Sequence, residues 1–161
     1  LAWWFYALRA HRFTTAPKGA WQRCDMTILL IRNARQGAAP GTSRLPATVA
    51  GHVLSCHDCD SLPALARCLQ HAHGSQPAWV LIEAAAANAA QWETHGPALR
   101  AALDALPAPY IEFARSEADA MDTHLHPRHA PAVLVCGSES EQSCQLSLAI
   151  VVRRLQAKKE G

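Results

Sequence analysis

The 161-residue chain has no apolar run long enough to cross a bilayer, which removes membrane-spanning architectures at the outset. Charge is also sparse: 17% of residues are charged and the formal net charge is +2, with basic residues scattered apart from Arg153-Arg154 and Lys158-Lys159. Nucleic-acid binding needs a concentrated basic face, so that partner class drops out. No Gly-x-Ser-x-Gly elbow occurs, and Gly137-Ser138-Glu139-Ser140 lacks the glycines of a phosphate-cradling loop, which leaves no support for a serine hydrolase or a nucleotide binder. Tyrosine is scarce too, at Tyr6 and Tyr110 alone.

Half of the residues are hydrophobic, enough for one compact core in a single domain. The six cysteines do not read as a disulfide framework in a chain this long. Cys136 and Cys144 are expected to be buried thiols of a cytoplasmic protein. Residues 1–25 hold three of the five tryptophans and no acid before Asp25, and Met26 then opens a clean strand. The reading is a non-native or disordered extension, preferred over an amphipathic membrane anchor or a transit peptide, followed by one domain over residues 26–161.

From Met26 onward short β-type runs alternate with helical periods. Strands are expected at residues 28–31, 52–55, 79–82, 110–113 and 132–136. Ser61 caps a helix burying Leu62, Leu65, Ala66 and Leu69, with Gly74 as its left-handed end. A second helix starts at Thr94 with Pro97 in its first turn, and a last one over residues 141–155 packs Leu146, Ala149 and Ile150. Strand-helix repetition predicts an α/β fold with five parallel strands between helices, in a flavodoxin-like order. Ligands then bind beyond the carboxyl ends of the strands, in segments 32–46, 83–95 and 114–129.

Four phrases in order carry a resemblance: SCHDCDSLPALARCLQHA, THGPALRAAL, PAPYIEF and PAVLVCGSESEQSCQLSLAI. Together they make residues 26–155 similar to the type II 3-dehydroquinate dehydratases. The resemblance implies loss of water from 3-dehydroquinate to give 3-dehydroshikimate, with no cofactor, no metal, and a cytoplasmic assembly of trimers or dodecamers. In that family a lid tyrosine is the base, assisted by a lid arginine; a histidine is the acid, held by a second histidine after the Ile-Glu strand.

Carried over by position, the resemblance implies His95 as the acid, Glu112 as the retained strand-end carboxylate and Arg44 as the lid arginine. Asn88, Arg115, Ser116 and Arg35 then fall at substrate-binding places. The departures are as informative. No tyrosine follows the first strand, Ala114 replaces the partner histidine, Ala101 replaces a binding aspartate, and Asp119-Ala120-Met121 stands where the family has His-Ala-Arg. The connection from Ile31 to His52 is short for both a lid and a full helix. With base, second histidine, aspartate and arginine missing together, the expectation is impaired or lost catalysis. The alternative is a non-catalytic module that binds a small carboxylate or a protein partner. Were it a lyase, His95 would need another base such as Glu83.

Two clusters are weighed as metal sites and set aside. His124, His126 and His129 flank Pro127, which prevents one regular face, and Cys56-x-x-Cys59 has no second cysteine pair to answer it, though Cys68, His71 and His73 lie beyond. For Glu112 the plain reading is a carboxylate hydrogen-bonded to nearby backbone.

Overall fold

A computed structural model describes residues 27–33 and 45–161 of the chain. Residues 1–26 and 34–44, with Arg35, Arg44 and most of the expected lid and first crossover, lie outside the described residues.

The chain is α/β. Six strands and four α-helices are described: β1 (Thr27–Asn33), β2 (Thr48–Val49), β3 (His52–Cys59), α1 (Leu62–Ser75), β4 (Trp79–Glu83), α2 (Ala89–Asp104), β5 (Tyr110–Ala114), α3 (Met121–Leu125), β6 (Val133–Cys136) and α4 (Ser140–Glu160). A 3-10 turn, Glu117–Asp119, precedes α3. The sheet order is β2-β3-β1-β4-β5-β6. Every pairing is parallel except β2 with β3. The order of the five parallel strands is compatible with a flavodoxin-like fold, and it reverses between β1 and β4.

The strand count corrects the expectation of five. The sixth strand is a two-residue edge joined to β3 by Ala50 (φ 51°) and Gly51 (φ 82°). Two successive left-handed residues make the mirror-image turn that suits a hairpin. Ala-Gly is a weak signature for it, and the His52 ring also bonds the Ala50 carbonyl at 3.1 Å. β3 itself runs four residues past the expected end, because pairing with β1 continues from Val53 to Cys59 through polar residues.

Side-chain alternation divides the core. Leu29, Ile31, Val80, Ile82 and Tyr110 face α1, α2 and α3, whereas Ile28, Leu30, Leu81, Ile111, Phe113 and Val135 face α4. Both faces of the central strands are thus apolar, as parallel sheets require.

Three helix details differ from the sequence reading. Ser61 does cap α1, accepting the Ala64 N–H at 3.3 Å, but the left-handed residue that ends it is Gln76 (φ 46°), not Gly74. α2 begins five residues before Thr94, because Asn88 and Gln91 close a reciprocal capping box and the alanines between favour helix; Pro97 falls inside it. In α4 the buried face is Cys144, Ser147, Leu148, Val151 and Leu155, while Leu146 is 53% exposed. Apolar residues occur around most of that helix, so their spacing did not choose a face, and the small Ser143 and Ser147 are buried beside Cys144 and Leu148.

The described cysteines are free thiols; Cys144 is buried, but Cys136 is exposed, at the end of an edge strand on the face opposite Val135. No helix among the described residues is long and apolar enough to cross a membrane.

Candidate functional site at the carboxyl ends of the strands

A cleft of about 340 Å³ opens where β1, β4, β5 and β6 end. Asn33 contributes from β1, Glu83, Ala84 and Ala86 from β4 and its loop, and Phe113, Ala114, Arg115 and Asp119 from β5 and the turn after it. Gly137, Ser140 and Ser143 complete the wall from the β6–α4 connection. Residues from three of these four segments were expected to border a ligand; the fourth was not. Its only sequence signal is a glycine and serines directly after an apolar strand.

Glu83 organises the wall. It is the last residue of β4 and points to the α4 side of the sheet, where its carboxylate is 9% exposed. Oε2 accepts the Asn33 backbone N–H at 3.0 Å, and Oε1 accepts the Ser140 hydroxyl at 2.5 Å. Arg32 stands 3.8 Å from Oε2 and 3.6 Å from Glu141 on α4. One carboxylate therefore ties β1, β4 and the start of α4 together. Charge-assisted bonds of this kind contribute roughly 1.5–3 kcal/mol each. The amino end of α4, with its positive dipole end, also favours a negative group there.

Gly137 is required by contact. A Cβ at that position would stand 2.7 Å from Ser143 Oγ, so the missing side chain lets the β6 connection lie against the first turn of α4. The Gly137 N–H bonds the Ala114 carbonyl at 3.0 Å, which fixes the floor.

Arg115 is exposed, lines the cleft and forms no ion pair with any described residue. The neighbouring Asp119 is already engaged, since the Ser116 hydroxyl donates to its Oδ2 at 2.7 Å.

The chain matches no protein-family model and no curated protein.

Among the residues singled out from the sequence, Arg115 and Glu83, the latter only as a substitute base, line this cleft, whereas His95, Asn88, Ser116 and Glu112 do not. His95 is half-buried on α2. Asn88 is occupied as the α2 cap, its Oδ1 accepting the Gln91 N–H at 2.9 Å. Ser116 bonds Asp119 as above. Glu112 is fully buried on β5, on the face shared with Tyr110, opposite to that of Glu83. Its carboxylate accepts the backbone N–H groups of Met121 and, at 3.3 Å, Asp122. Tyr110 lies at the other end of β5, buried, its hydroxyl donating to the His129 carbonyl at 2.9 Å; burial pushes its phenol well above the ordinary range.

The histidines of the 124–129 segment do not converge. His124 stacks on Trp92 at 4.6 Å and bonds the Ala118 carbonyl, while His129 bonds the Leu103 carbonyl at 3.2 Å and meets the Tyr110 ring edge-on. His126 is the left-handed end of α3. Cys56 is exposed and Cys59 buried, because residues three apart on a strand face opposite sides. No group of three metal-ligating side chains converges among the described residues.

Proposed function

We propose that the chain is a type II dehydroquinase-like protein on a flavodoxin-like fold that binds a small carboxylate in this cleft, with dehydratase turnover impaired or lost. The observation that carries the binding reading is Arg115, a guanidinium in no ion pair with any described residue, on the wall of a cleft at the strands' carboxyl ends. Arg115-Ser116 also falls where the resembled family binds its substrate's carboxylate through the backbone. A carboxylate there meets the guanidinium from one side and the amino end of α4 from the other. Ala84, Ala86, Phe113 and Ala114 supply an apolar floor for a carbon ring.

Loss of turnover is supported by the protonation chemistry of the same wall. Proton abstraction beside a carbonyl needs a base and an opposed acid. The described lining holds neither histidine nor tyrosine, Glu83 is tied to three partners, and Asp119 accepts from Ser116.

The test is the ultraviolet absorbance of the enone product during incubation with 3-dehydroquinate, beside calorimetric titration with quinate. Saturable quinate binding without enone supports the reading; ordinary turnover overturns its second half, and absence of binding its first. The same resemblance proposes trimers or dodecamers, which light scattering of the full chain decides.

A further inference from the structure

Glu112 is a buried carboxylate with no cation paired to it among the described residues. Its register neighbours are Ile82 on β4 and Leu134 on β6, and its accessibility is 0%. Among the described residues, the ionisable groups near enough to interact with it are all acids: Tyr110 on its own strand, Cys136 on β6 and Asp122 on α3. No lysine, arginine or histidine among the described residues is paired with it. Its two hydrogen bonds go to consecutive backbone N–H groups at the start of α3.

Hydrogen bonds tie residues 116–124 into one unit. Thr123 donates to the Glu117 carbonyl at 2.8 Å, His124 bonds that of Ala118 at 3.0 Å, and Ser116 bonds Asp119. Outward, the unit is seated by Ala120, Met121 and Leu125, by the Trp92–His124 stack, and by Glu112. Gly96 admits Leu125, since a Cβ there would lie 3.0 Å from Leu125 Cδ2.

From this arrangement we propose that residues 115–125 are a proton-operated flap, seated while Glu112 is protonated and loosened when it is ionised. Burial pushes the Glu112 carboxyl up to about 7, offset in part by the two N–H bonds, and the Asp122 carboxylate pushes the same way as burial. When the flap lifts, Glu112 meets water and returns towards its ordinary value of 4.5. The seated state therefore holds the proton more tightly, and raising the pH between those values favours lifting, by up to about two orders of magnitude in the ratio of the two states. Arg115 and Asp119 ride on the flap, so the wall of the cleft responds to pH whatever ligand it takes.

Amide hydrogen exchange of the full chain from pH 5 to 8, corrected for intrinsic rates, tests this without any ligand, so its outcome is independent of the binding proposal. The Met121 and Asp122 amides are expected to exchange faster than those of β4 and β5, independently of low urea, with protection falling about tenfold or more as pH rises. In Glu112→Gln the fall disappears. If that variant does not fold, Asp122→Asn serves instead: removing the neighbouring carboxylate moves the fall to lower pH. A flat profile in the natural protein, the same fall in Glu112→Gln, an unmoved midpoint in Asp122→Asn, or flap exchange that follows global unfolding in urea overturns the proposal.

Discussion

Glu83 and Glu112 lie on adjacent strands, one register step apart, and point to opposite faces of the sheet. Glu83 meets the Ser140 hydroxyl at the start of α4 and a backbone N–H and a guanidinium of β1; Glu112 meets two backbone N–H groups at the start of α3. Each carboxylate thus holds the beginning of a helix, and only the first borders the cleft. The single step between them sends one to a polar rim and the other into the core.

Replacing Glu83 should loosen that rim. Glu83→Ala leaves the Ser140 hydroxyl, the Asn33 N–H and Arg32 without their acceptor, and a loss of about 2–3 kcal/mol is expected in urea unfolding. A double-mutant cycle of Glu83→Gln with Ser140→Ala should give a coupling above about 0.5 kcal/mol. Additive losses would show that the two side chains do not act together.

Gly137→Ala should destabilise by about 1–3 kcal/mol, because its new Cβ meets Ser143 Oγ at 2.7 Å. Adding Ser143→Ala removes the obstructing oxygen and should restore most of the loss. Thermal unfolding of the two single variants and the double variant checks this, and a double variant as unstable as Gly137→Ala alone would contradict it.

The raised Glu112 carboxyl also sets a sign for global stability. Below its ordinary value of 4.5 both folded and unfolded chains are protonated there, and the burial costs nothing extra. As pH rises the unfolded chain ionises first, so stability falls until the folded carboxyl ionises near 7. The full loss is about 3 kcal/mol at one pKa unit per 1.36 kcal/mol. Urea unfolding of the natural protein minus that of Glu112→Gln should show this decline between pH 4.5 and 7 and a plateau above it. A rising difference would contradict the burial argument.

The strands were legible in the sequence because their apolar runs are short and sharply bounded, as with TILLI before Arg32 and WVLI before Glu83. The β2 hairpin was not, since Ala50 adopts a left-handed conformation that alanine seldom takes. Helix starts were readable where one cap residue dominates, at Ser61, and misread where Thr94 and Pro97 imitated a start inside α2. The carboxyl-end cleft followed from strand order, but its makeup did not. Which face Glu83 and Glu112 take depends on strand parity against α4 and α3, and phrase matching carries no parity. Arg115 was singled out from its place after the fourth expected strand, and Glu83 only as a substitute base; neither sequence position reveals that Ser140 closes on Glu83.

Arg115 is where the account is most exposed. Calorimetric titration of quinate into the natural protein and into Arg115→Ala should give saturable binding in the first and affinity about tenfold or more weaker in the second, the cost of losing one charge-assisted contact. Equal affinity in both proteins, or no binding in either, would contradict it.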